Sequence, residues 1–145
     1  MTHPVTIQTR KEKADFAAKA GIDEAFISRL VDEFYLRVRA DPEIGPIFAA
    51  HIEDWDPHLA RMKDFWFSIA VEAGRFQGNP MVKHMAIDGL NEAHFQAWLK
   101  LFNTTLEEIA PSKAAVRYFK EKSQMIGQSL LAGIEASRIR KAGAE

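Results

Sequence analysis

Cysteine is missing from all 145 residues. With it go disulfides, thiolate nucleophiles and Cys-based zinc or iron–sulfur sites. A metal held by this chain must take its ligands from His, carboxylate, Met or Tyr. An excess of one charge is missing too: the formal net charge is -1 and the sequence pI is near 6.5, so no basic surplus points to nucleic acid or an anionic membrane. No uninterrupted apolar run approaches the roughly 20 residues that span a bilayer. The polar start, "MTHPVTIQTRKEKADF", has no apolar signal core. A cytoplasmic protein with no nucleic-acid and no membrane partner is the expectation. Internal repeats and low-complexity tracts are absent as well.

What is present is helical periodicity. Apolar residues make up 47% of the chain, enough for one globular domain with a modest core. They recur at helical spacing, and no alternating strand pattern stands out. A helix is expected from Asp23 to Arg39, with Ile27, Leu30, Val31, Phe34 and Val38 on one face and Tyr35 at its edge. Asp41-Pro42 ends it. A Pro/Gly-interrupted connection, "DPEIGPIFAAHIED", follows. In "DWDPHLARM", Asp56 is the expected N-cap and Pro57 the first helical residue. His58, Met62, Phe65, Ile69 and Ala73 then share a face, with Trp66 beside it, and Gly74 closes the helix.

Residues 75–90 are the least regular part. There Asn79-Pro80 is placed to cap a short helix carrying His84, and Asp88-Gly89 to break it. A third long helix after Asn91 carries Phe95, Trp98, Leu99, Phe102, Leu106 and Ile109 as far as Pro111. Ser112 opens a fourth, with Val116, Phe119, Ile126, Leu130 and Ile134, and the tail "RIRKAGAE" is expected to fray. The fold class is therefore all-α: four substantial helices and an irregular middle. A 16-residue loop inside a compact domain is either functional or misassigned, and a bound prosthetic group would give it a surface to pack on.

Each candidate site residue has a plainer reading. A lone His among apolar residues, such as His84 in "GNPMVKHMAI" with Met81, Val82, Met85 and Ile87 around it, is more often a satisfied or half-exposed side chain than a ligand. Tyr35 reads as a core-edge aromatic with its hydroxyl in water, and Trp66 and Trp98 as core. His3, His51 and His94 read as solvent-facing, Arg61 and Lys63 as a solvated face. The combination is harder to set aside. His58 and Met62 face the core from one helix, Tyr35 approaches from another and Trp98 from a third. Buried donors without partners cost about 1–3 kcal/mol each, so something polar is expected among them. His58 and His84 lie 26 residues apart on different segments. That suits two sides of a flat cofactor better than a zinc site, which needs three or four close ligands.

At these residues the sequence resembles the truncated haemoglobins, and among them the third class. The segments that carry the likeness are "EFYLRVRADPEIGPIF", "WDPHLARMKDFW", "GRFQGNPMVKHMAI" and "HFQAWLKLFNTTLEE", within roughly residues 25–135. The resemblance implies a truncated globin fold, a two-over-two helical sandwich around haem b (iron protoporphyrin IX). It divides the chain into an N-terminal extension at 1–21, a globin domain at 22–136 and a C-terminal tail at 137–145. By matched position, it makes His84 the proximal ligand of the haem iron. Tyr35, Trp98 and His58 become the distal ligand-binding residues, and Phe48, Met62, Phe65 and Trp66 line the pocket. Basic residues for the propionates are not fixed by the match; Lys83 and Arg61 are the candidates. The residues before the first core helix are not explained by it.

The implied function is binding of dioxygen and other diatomic ligands at a five-coordinate haem iron, with distal hydrogen bonds and a role in oxygen transport. A rival is an enzyme using the same pocket for peroxidase-like, oxygen-activating or nitric-oxide-detoxifying chemistry. That rival would need a separate reductase, since no flavin or reductase domain is fused. A third reading, a small helical interaction module with these aromatics as plain core, predicts no haem absorption band at all.

Overall fold

A computed structural model describes residues 4–85, 87 and 89–144, and only the backbone of residues 4–9, 81, 82, 85, 142 and 144. Among the described residues the chain forms seven helices: α1 (Pro4–Ala20), α2 (Glu24–Ala40), α3 (Gly45–His51), α4 (Trp55–Ala70), α5 (Pro80–Met85), α6 (Glu92–Ile109) and α7 (Lys113–Ala144). His3 and Asp88 lie outside the described residues, as do the side chains of Met81, Val82 and Met85.

Local chemistry explains most of the boundaries. The Asp23 carboxylate accepts from the Phe26 N–H at the start of α2. Asn91 and His94 exchange side-chain and backbone bonds in a capping box at the start of α6. His94, expected in solvent, is therefore half-buried. The Ser112 hydroxyl accepts from the Ala115 N–H at the head of α7 and also reaches the Ala20 carbonyl at 2.7 Å.

Four expectations need correcting. Asp54, not Asp56, caps α4 by accepting from the Asp56 N–H, so the helix starts at Trp55 and Pro57 is its third residue. That placement is tolerated because N–H groups in the first turn have no intrahelical partner to lose. The same helix ends at Ala70 rather than Gly74. The connection after Pro42 contains a helix, α3. The described part of the tail is helical: α7 continues to Ala144.

The helices pair as α2 with α4 and α6 with α7, and α2 joins the two pairs by packing on α6. This is the two-over-two arrangement. The main core lies where the pairs meet, around Phe34, Leu30, Ile27, Trp66, Phe102, Leu106 and Phe119. Phe34, Phe102 and Phe119 are fully buried, and burying each such ring contributes about 1.5–3 kcal/mol relative to leaving it exposed. The extension is itself a helix. α1 rests on α4 and α7, burying Ala17 and Ala20, setting Phe16 against Tyr118 at 5.5 Å and sending the Lys13 ammonium to the Ser68 carbonyl.

Candidate haem-binding site

Tyr35, on the core face of α2, is buried at 6% exposure. Besides its neighbour Phe34, its ring meets three from other helices, edge-on or tilted: Phe48 from α3 at 5.8 Å, and Trp55 at 5.9 Å and His58 at 5.2 Å from α4. Trp55 and His58, three residues apart, share one face of α4 and stand perpendicular at 5.7 Å. The outer face of Trp55 carries the Arg39 guanidinium, 4.6 Å from the ring centroid. Trp55 was not anticipated from the sequence. Its spacing from His58 was the available signal, and placing the helix start at Asp56 hid it.

Two polar facts set this cluster apart from an ordinary core. Nε2 of His58 is buried and has no hydrogen-bond partner, although a buried polar atom in this state costs about 1–3 kcal/mol. Burial pushes the imidazole down to about 4, with the positive charges of Arg61, Lys83 and His84 adding to the effect. His58 is therefore neutral near pH 7. The Tyr35 phenol is pushed up by burial, so it stays a protonated donor.

Among the described residues, the ring pairs of Trp98 are with Phe34 and Phe102 and not with this cluster. It is half-buried on α6, stacked on Phe102 at 5.5 Å with a 7° interplanar angle, and Phe102 stacks in turn on Trp66 at 5.0 Å. Phe34 links the two groups, edge-on to Tyr35 at 4.9 Å and to Trp98 at 5.6 Å. Phe65 packs against Trp66 and Phe76, and Met62 is half-buried against the main core. Arg61 and Lys83 are exposed.

His84 comes from a different quarter. It is half-buried on the six-residue α5, between Gly78 and Gly89, whose positive φ values (151° and 80°) let the chain turn into and out of so short a helix. Its Nδ1 lies 2.6 Å from the Pro80 carbonyl. A carbonyl only accepts, so Nδ1 carries the proton and Nε2 keeps its lone pair. α5 packs on α7 and on no other helix among the described residues. Among the described residues α5 therefore makes no helix contact with α4, which carries His58.

These residues fit a haem. One imidazole offers a free lone pair with its other nitrogen tied to a carbonyl, the arrangement that orients metal-bound histidines. On α4, which makes no helix contact with α5 among the described residues, an aromatic cluster holds a buried nitrogen without a partner. Among the described residues no three His or carboxylate side chains converge on a metal of their own. Likeness to known proteins decides the family. The sequence profile of the bacterial-like globins matches residues 18–127. The chain is 32% identical over 109 residues to the group 3 truncated haemoglobin of Campylobacter jejuni, covering 72% of this chain and 85% of that protein.

The chain belongs to the bacterial-like globin family, as a truncated haemoglobin of the third group. A crystal structure of the group III truncated haemoglobin from Campylobacter jejuni superposes with a TM-score of 0.74 at 29% identity, covering 78% of this chain and 91% of that one. The 2/2 haemoglobin of Synechococcus sp. PCC 7002, solved in the cyanomet state with covalently attached haem, gives 0.69 at 23% identity over 82% and 96%. That second likeness bears on the fold alone. No helix among the described residues is long and apolar enough to cross a membrane.

Proposed function

We propose that this globin holds haem b between α4 and α5 and binds dioxygen, among other diatomic gases, on the side of Tyr35, His58 and Trp98. When bound, the haem would supply an iron centre able to take up a diatomic gas. His84 would hold that iron through Nε2, because Nδ1 is committed to Pro80. Tyr35 O–H and the Trp98 indole N–H are the donors for the ligand, and each well-aligned bond contributes about 1 kcal/mol or more. His58 remains neutral near pH 7 and supplies the third polar atom of the pocket. Phe48, Met62, Phe65 and Trp66, with Trp55 added, exclude water. The exposed cations Lys83 and Arg61 suit the carboxylates of the haem edge. Catalytic turnover would draw electrons from a separate reductase.

The observation that carries this reading is the buried, unpartnered Nε2 of His58 beside Tyr35, with a His84 whose free nitrogen is already selected. The test is the absorption spectrum of the purified, haem-reconstituted protein, ferric and ferrous, with and without carbon monoxide. A Soret band, a five-coordinate ferrous form and a carbon monoxide adduct are expected. No Soret band in the presence of adequate haem overturns the proposal.

A further inference from the structure

The family match ends at residue 127, yet α7 runs on to Ala144. The described residues of that continuation are not surface dressing. Ile134 is buried at 3% exposure, and with Leu130 and Leu131 it forms a second apolar cluster, separate from the main core, around Leu90, Phe95, Ile47 and Ile87. One turn further on, the Arg138 guanidinium donates to the carbonyl of Leu90. Ser137, beside it, is buried as well.

What this cluster grips is the segment that carries His84. α5 is six residues long, far below the roughly 12 residues at which an isolated helix becomes even marginally stable. Glycines at positive φ bound it on both sides, so the flanking chain does not stiffen it. α7 is its only helix neighbour among the described residues. The Ile87 N–H bonds back to the His84 carbonyl, so Ile87 and Leu90 continue the His84 turn directly into the apolar cluster.

We infer that residues 130–138 of α7, beyond the part of the chain shared with the family profile, are positioning residues for His84: Leu130, Leu131 and Ile134 seat the segment that follows it, and Arg138 tethers its backbone at Leu90. The consequence for the site is mechanical. An imidazole on a loose six-residue helix would sample many orientations; one anchored three to six residues downstream, at Ile87 and Leu90, is held to few. The inference rests on the haem reading for its functional meaning, but the anchoring itself does not.

The experiment compares wild type with Arg138→Ala, Arg138→Lys and Ile134→Val as full-length proteins. Amide hydrogen exchange, measured with and without haem, is expected to quicken on the order of fivefold over residues 80–90 in Arg138→Ala while α2 and α6 keep their wild-type protection. Arg138→Lys, which can still donate to one carbonyl, should restore most of it. In the haem-loaded proteins, Arg138→Ala should broaden or shift the iron–histidine stretching band of the ferrous form and speed haem transfer to a scavenger globin. A purely structural role would instead raise exchange throughout the molecule. Unchanged exchange over 80–90 in both Arg138→Ala and Ile134→Val, or loosening spread evenly over all helices, overturns the inference. A wild-type chain that takes up no haem overturns the haem reading instead, and the exchange data from the haem-free protein still decide the anchoring.

Discussion

The imidazole Nδ1 of His84 lies 2.6 Å from the carbonyl oxygen of Pro80, one helical turn earlier. That contact selects the tautomer before any cofactor arrives, and donating the N–H to a carbonyl shifts electron density onto the ring, which makes Nε2 a more basic ligand. His84→Gly is therefore expected to lose stable haem retention and the five-coordinate ferrous spectrum, and added imidazole to restore part of the spectrum. An unaltered ferrous spectrum in His84→Gly would remove His84 from the iron.

Tyr35 is expected to act as a donor to the bound gas. Tyr35→Phe deletes one oxygen and leaves the ring contacts with Phe48, Trp55 and His58 in place. Loss of one buried hydrogen bond contributing about 1.4 kcal/mol accelerates dioxygen release about tenfold. Carbon monoxide release should change much less, since that ligand gathers little negative charge. Burial holds the phenol in its protonated form, so no pH dependence of the off-rate from this group is expected between about pH 6 and 9. Stopped-flow displacement at several pH values checks both statements.

The acid response of the haem-free protein should carry the mark of His58. In the folded chain its imidazole is pushed down to about 4 from an ordinary 6.5. As pH falls through 6.5 the unfolded chain takes up the proton and the folded chain does not. The contribution of His58 is therefore fully present above about pH 6.5 and is lost progressively towards pH 4. His58→Leu removes the titrating group, so its stability should fall less steeply over that window. Urea midpoints at pH 7, 6, 5 and 4.5 for both proteins provide the comparison, and parallel curves would count against the assignment.

Residues with local consequences were legible in the sequence. Asp23, Asn91 and Ser112 each stand just before an apolar-periodic run and each caps a helix, because a side-chain oxygen two or three residues from a free N–H acts locally. The stripe Ile27, Leu30, Val31, Phe34 and Val38 is buried throughout for the same kind of reason. Asp54 and Asp56 could not be separated that way, since either oxygen can serve the same turn. The course of α7 past residue 136 was illegible for a different reason. What keeps it helical and docked is contact with Leu90, more than 40 residues away in the chain, and a long-range partner leaves no periodic trace. Trp55 lies between the two cases: its spacing from His58 was readable, but its partners, Tyr35 and Arg39, come from another helix.

Phe102 offers the sharpest link between packing and ligand control. It is fully buried, sandwiched between Trp66 and Trp98, and edge-on to Phe34. Phe102→Ala should cost about 3–5 kcal/mol in unfolding free energy, as removal of a core phenylalanine usually does. Phe102→Leu keeps most of the volume and should cost less, but it removes the flat surface that fixes the Trp98 ring. If the indole N–H is a donor to the ligand, releasing that ring weakens the bond without deleting it. Dioxygen should then leave Phe102→Leu faster than wild type but more slowly than Trp98→Phe, and the double variant should match Trp98→Phe alone. Additive effects in the double variant would mean that Phe102 acts on the pocket by some route other than the orientation of Trp98.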